Sequence, residues 1–262
     1  MRKHWKALVA VAAVVIAVVV AAIIISARPD ATAEPTPDSD NTITTGTLGF
    51  PVSDINIGEG GTATAADGRT PIGYDGSCDS AAQAAAAYTP LLRDLNVSTW
   101  PEQKETLLSL AIEGPWVEDA VFGGDLILET AATNDLPGLF DGGWMSKVDV
   151  PAGGMYRVVS CEPQEQALVQ VLFGGLSSND TLPEEFFGTQ SIELTWEDDW
   201  RISDALVSTD PEFEQRLPDE GPSGGYTDEA TGEMPVLTSD IADYYFKDLS
   251  REGWIEYANA KR

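Results

Sequence analysis

The residues best suited to chemistry in this chain are paired carboxylates. "EDD" (Glu197–Asp199) and "PEE" (Glu184, Glu185) each set acidic side chains close together. Two such groups across a sugar can act as acid and base in glycoside hydrolysis. With 43 Asp and Glu in the sequence, however, such pairs arise freely, and a solvated turn is the simpler reading of each. "GPSGG" (Gly221–Gly225) has the letters of a nucleophile elbow, but a Gly/Pro stretch surrounds it rather than a strand, a turn and a helix. "GEGG" (Gly58–Gly61) lacks the lysine and the following helix of a phosphate loop and reads as a plain loop. The single histidine is His4, at the extreme N-terminus. Ser-His-Asp and Cys-His catalysis and His-rich metal sites are thereby excluded from the rest of the chain. The expectation is a protein with no catalytic residue, no cofactor and no metal.

The first thirty residues set the compartment. "ALVAVAAVVIAVVVAAIII", Ala7–Ile25, is 19 residues without a charge. As a helix it spans roughly 28 Å, the thickness of the bilayer hydrocarbon. Arg2, Lys3 and Lys6 precede it, so residues 1–6 are expected in the cytoplasm, 7–27 across the membrane and the remainder outside. A signal peptide cleaved near "ATA" (Ala31–Ala33) is the rival, although its apolar core would be unusually long. A buried core helix is disfavoured, because the run is apolar on every face. Beyond the run lie all 43 acidic residues but only 12 of the 15 basic ones, a formal charge of −31. That surface repels phosphates, which argues against direct nucleic acid binding. Its simplest role is to keep an exported domain soluble.

Cys78 and Cys161 are the only cysteines, and both fall in the exported part. Outside the cytoplasm a lone pair is expected to oxidise to one bridge, Cys78–Cys161, tying a helix start to a strand. Two separate buried thiols are the alternative.

The elements expected to carry these residues are mixed. Residues 28–67 read as an extended spacer rich in Pro, Thr and Asp, passing into turns. Ser77 or Asp79 caps an alanine-rich helix running to about Leu95, and Pro90 is expected to kink or end it. "TWPE" (Thr99–Glu102) fits a capping box ahead of a Leu-rich helix. "PWVEDAVF" and "DLILETAAT" read as two helical pieces divided by Gly123–Gly124. Five strands follow, "WMSKVDV", "MYRVVSCE", "QALVQVLFG", "QSIELTWE" and "DWRISDAL". Ile192, Leu194 and Trp196 alternate with Ser191, Glu193 and Thr195, which predicts one buried and one wet sheet face. Helices followed by an antiparallel meander make an α+β domain, placed at residues 68–208. Residues 209–262 read as an acidic linker and an aromatic segment. Tyr244, Tyr245, Phe246, Trp254 and Tyr257 form either a terminus folded onto the domain or a docking segment for a partner.

The anchor, the spacer, "GRTPIGYDGSCDSAAQAAAAYTPLL" and "LTWEDDWRI" together resemble membrane proteins of actinobacterial integrative and conjugative elements. In these a G-x-P-x-G-[FY] turn precedes an alanine-rich helix with an aromatic near its end. The matching residues are Pro71, Gly73 and Tyr74, then Ala84–Ala87 and Tyr88; Arg69 stands where the first glycine would be, with Gly68 one residue earlier. The W-x-D-x-W-R strand pair (Trp196–Arg201) is similar to the close of a nuclear-transport-factor-2-like cone, in which helices pack within a bent antiparallel sheet. Such domains occur in bitopic scaffold proteins of conjugation and type IV secretion machines. The resemblance covers the anchor and residues 68–206 and carries no catalytic residue. It implies an N-terminal transmembrane helix with one cone-like domain outside the cell membrane. It also implies a scaffold acting through other membrane or secretion-machine proteins, and self-association. The alternatives are an exported ligand-binding or envelope-sensor module and, more weakly, a carboxylate-dependent envelope hydrolase. A binding module should hold a deep apolar cavity with a few polar groups. Whether Trp116, Trp144 and Trp196 fill such a cavity is left open.

Overall fold

The computed structural model of the protein describes residues 44–132, 143–177, 183–206, 211–225 and 231–262. The expected membrane helix, residues 7–27, lies outside them. Among the described residues no helix is long and apolar enough to cross a membrane. The class is α+β, with several helices and an antiparallel sheet.

Helix α1 (Cys78–Arg93) begins where the Ser77 hydroxyl accepts the Ser80 N–H at 3.1 Å. Its alanines let the backbone approach the sheet closely: Ala81, Ala82, Ala84 and Ala85 are wholly buried. Pro90 sits inside its last turn, and the Asp94 N–H donates to the Pro90 carbonyl to close it. Helix α2 (Trp100–Leu110) carries Pro101 in its first turn, but the Thr99 side chain makes no capping bond, so the box expected there does not close. Helix α3 (Pro115–Ala132) is one continuous element rather than two pieces. Gly124 explains this, because a Cβ there would come within 2.1 Å of the Trp100 ring. The glycine is needed for close approach of α2 and α3, not for a break. The Trp100 indole N–H and the Lys104 ammonium both donate to the Asp125 carboxylate and lock the pair.

A two-stranded ribbon, β1 (Ala63–Thr64) and β2 (Pro71–Ile72), precedes the helices. The main sheet is eight-stranded among the described residues, and all of its pairings are antiparallel. Its spine is the long hairpin of β6 (Gln166–Ser177) and β7 (Glu184–Trp196), paired from Gln166↔Thr195 to Ser177↔Glu184. Along the other edge of β6 lie two strands end to end, β5 (Met155–Glu162) and β4 (Trp144–Asp149). A single helical turn, α4 (Val150–Gly153), separates them. The short β3 (Leu95–Asn96) adds to β4, and β8 (Trp200–Ala205) and β9 (Gly224–Gly225) add to β7. All five strands expected from the sequence form, and β7 starts six residues earlier than its alternating pattern suggested.

Both faces of the sheet are covered, not one. Helices α1–α3 pack on one face against Val169, Val171, Phe173, Ile192, Leu194 and Ile202. On the other face Met155, Leu172 and Phe187 meet Leu48 and Phe50 from the start of the described chain and Leu237, Tyr245, Phe246 and Trp254 from its end. Helix α5 (Pro211–Glu214) buries Phe213, and α6 (Ser239–Tyr245) is capped by Thr238. Strand β10 (Trp254–Glu256) then joins the sheet beside β5. The chain from Ile43 to Arg262 is therefore one unit, and the boundaries expected at residues 68 and 208 are corrected outward. An apolar sheet face cannot stay wet, and the aromatic tail is what covers it.

Candidate functional site

The two sequence patterns that carried the family resemblance meet at one corner. The Asp199 carboxylate accepts the backbone N–H of Gly73 (2.6 Å), Tyr74 (3.0 Å) and its own neighbour Trp200 (2.9 Å). Asp198 holds positive φ, which makes the β7–β8 turn tight enough to present that carboxylate. The Trp200 indole donates to the Ser80 hydroxyl, and the Tyr88 hydroxyl donates to the Trp200 carbonyl, both at 2.9 Å. Gly76, at φ +79°, lies against Gln164 and the Trp196 ring, so the tips of both hairpins seat on it and any side chain there would collide. The Cys78–Cys161 bridge closes the same corner, with Cα atoms 5.9 Å apart. This constellation organises the fold. Each oxygen of Asp199 already accepts a backbone N–H, so this carboxylate is committed to holding the turn against residues 73–74.

Glu185 is likewise committed. Its Oε1 accepts from the Thr231 N–H, the Thr231 hydroxyl and the Gly232 N–H. Burial alone would raise its pKa, but these hydrogen bonds outweigh it and hold the carboxyl below its usual range. A carboxylate kept ionised and used to pin a loop is a poor general acid. "GPSGG" lies partly in β9 and partly in the loop before it, and there is no histidine among the described residues. Among the described residues no group of three or more His, Cys, Asp or Glu could hold a metal ion.

The five aromatics of the C-terminal segment separate clearly. Tyr245, Phe246, Trp254 and Tyr257 are buried, and only Tyr244 is exposed, at 57%. The Tyr257 hydroxyl donates to the Ala82 carbonyl of α1 at 3.0 Å, and Trp254 meets Phe246 edge to face and lies under Arg157. As a docking segment four of them are corrected to core, because a partner could reach them only by stripping the sheet. Asn96 is also buried, with its side-chain oxygen accepting the Ser98 N–H at 2.8 Å.

Two cavities flank the end of α1. The smaller, about 170 Å³, is lined by Arg69, Asp94, Gln103 and Trp144 among others. Asp94 accepts the Val148 N–H at 2.7 Å, yet burial pushes its carboxyl from an ordinary 3.8 up to about 6. A carboxyl raised in the folded state binds a proton there that the unfolded chain has already released. Its contribution is therefore neutral below pH 3.8 and becomes destabilising as pH rises to 6. Asp94→Asn keeps the carbonyl acceptor and removes the charge. It should lie within about 1 kcal/mol of the wild type near pH 4 and exceed it by about 3 kcal/mol at pH 7. Urea unfolding at both pH values checks this, and a gap that does not change with pH would refute the burial argument.

The larger cavity, about 340 Å³, opens between α3 and the helix-covered sheet face. Leu92, Leu95, Ile127, Phe173 and Phe186 give it apolar walls, and Arg93 sits in its lining. Of the three tryptophans considered as fillers, Trp116 is in the core, Trp144 borders the smaller cavity and Trp196 lies at the disulfide corner. None of them lines this space. Nothing local in the sequence marked the cavity, since it is framed by segments a hundred residues apart. No protein-family model, curated protein or solved structure matches the chain.

Proposed function

We propose that this protein is a non-catalytic scaffold, anchored by residues 7–27 in the cell membrane, whose exterior domain works by protein contacts in a conjugative, type IV secretion-like assembly. The observation that carries the reading is the outer stripe of α3. Phe122 and Leu126, one turn apart, are exposed at 68% and 49%. Glu118 and Glu129 flank them on the same stripe, and Leu108 of α2 is exposed at 49%. Large apolar side chains held out on a well-formed helix, with an acidic surround, suit one occupant: an apolar segment of another envelope protein flanked by Lys or Arg. A second copy would bring like charge to the same surface, so self-association is the less favoured occupant. The helices on one antiparallel face, with a cavity beneath α3, are compatible with the cone that the sequence resemblance implies.

Phe122→Asp together with Leu126→Asp should leave unfolding stability within about 0.5 kcal/mol, because both side chains are outside the core. It should also abolish crosslinking of the full-length protein, in its own cell membranes, from a photoreactive group at position 118. The reading stands if the wild-type adduct maps to a Lys/Arg-flanked apolar segment and weakens with salt. A wild-type monomer without adducts, an adduct to itself, or an adduct unchanged in the double variant would sink it.

A further inference from the structure

The larger cavity holds a guanidinium that forms no ion pair among the described residues. Arg93 ends α1, and its Nε donates to the Gln190 side-chain oxygen while Nη2 donates to the Leu206 carbonyl at 3.0 Å. Both acceptors are neutral. Among the described residues no carboxylate forms an ion pair with Arg93, although the domain carries a large excess of acid. Arg93 is half-buried, whereas Arg157, which is buried, is paired to Asp219 at 2.6 Å. Removal from water holds the Arg93 pKa below its ordinary value, the mark of a cation whose lost hydration is not replaced by an anion. Nη1 has no acceptor among the described residues and is not one of the sealed, unpaired polar atoms. The space it can open on is the cavity that Arg93 lines.

We infer that this cavity binds a small organic monocarboxylate, whose carboxylate pairs with Arg93 and whose apolar body lies against Ile127, Phe173 and Phe186. Guanidinium and carboxylate match in geometry, and a partly desolvated site strengthens the pair. The volume is at the lower end of the range for small-molecule sites, which sets the size of the ligand at several carbons rather than a long chain. The hydroxyls of Ser146 and Ser223 border the same space and can donate to the second carboxylate oxygen, whereas the Thr189 hydroxyl already donates to the Pro222 carbonyl at 2.9 Å. Asp119, on the exposed rim, disfavours dianions. The inference is independent of the contact role of the α3 stripe.

The test uses the full-length chain in phospholipid nanodiscs and titrates hexanoate, with hexanol and hexylamine as charge controls, by calorimetry. Hexanoate should bind and hexylamine should not. Arg93→Gln should weaken hexanoate about tenfold or more while leaving hexanol unchanged, since a charge-assisted bond is lost and the walls are not. Arg93 also ties α1 to the sheet, so a second variant guards against simple misfolding. A Cβ at Gly123 would meet nothing within 4 Å, and Gly123 borders the cavity within a helix. Gly123→Leu should fill the space, keep or raise stability, and abolish hexanoate binding. No hexanoate binding by the wild type, equal binding of hexanoate and hexylamine, or unchanged binding by Gly123→Leu would each overturn the assignment. Retention of the α3 crosslink in Gly123→Leu separates this result from any failure of the scaffold reading.

Discussion

Replacing both cysteines, Cys78→Ala with Cys161→Ala, should lower unfolding stability by about 4 kcal/mol in the chain-entropy account of a loop this long. The bridged residues are 83 apart in sequence. The loop they close contains α1 through β5, that is, all the helices on one sheet face and the first strands of the sheet. Opening it frees the denatured chain far more than it disturbs the native one. The corner around the bridge is held independently by Asp199 on Gly73 and Tyr74 and by the Trp200–Ser80 bond, so the variant should still fold to the same structure. Against a typical net stability of 5–15 kcal/mol the loss is large enough to make the domain marginal at 37 °C. Urea unfolding of the oxidised wild type, the wild type in reductant and the double variant checks the point. The last two should coincide. A drop below about 1 kcal/mol would mean the helix–strand corner is already fixed in the denatured ensemble.

Local signals told most of the fold. Ser77 caps α1 as its hydroxyl and position suggested, and the five strands lie where β-branched and aromatic residues cluster between turns. The acidic turn Glu197–Asp199 reads correctly as a connection, but its partners do not. Asp199 binds Gly73 and Tyr74, more than a hundred residues away, and nothing in a local window reveals such a pair. The strand alternation at Ile192 and Leu194 pointed to a wet second face. The clue against it was in β6, whose "ALVQVLFGGL" is buried throughout, the run expected of a strand covered on both faces. Gly123–Gly124 resembled a break because glycine weakens helices; Trp100 beside Gly124 is the tertiary fact that reverses this. The cavity was the least legible feature. Arg93 looks in sequence like an ordinary basic residue at a helix end, and only the fold shows that Gln190 and Leu206, not a carboxylate, surround it.

Ending the chain at Glu252 should abolish cooperative unfolding, and this is the largest effect the structure implies. The removed residues carry Trp254 and Tyr257, each at most 2% exposed, and Glu256. Strand β10 lies between β5 and residues 51–53: Trp254, Ile255 and Glu256 pair with Arg157, Tyr156 and Met155. The Glu256 N–H donates to the Pro51 carbonyl, and the Glu256 carbonyl accepts the Ser53 N–H. Its carboxylate accepts the Leu48 N–H and the Arg262 guanidinium. Losing the two large aromatics alone costs about 3–5 kcal/mol each, a sum comparable to the whole net stability. The truncation also bares the apolar sheet face around Met155 and Leu172 and frees residues 48–53. Loss of a sigmoidal urea transition, with increased binding of an apolar dye, is the expected result. Trp254→Ala in the full chain gives the graded version, with a loss of about 3–5 kcal/mol and an intact transition. A truncated chain that still unfolds cooperatively within about 1 kcal/mol of the full one would show the segment to be dispensable for the core. Its aromatics would then be free to serve as a docking element, which their composition alone equally allows.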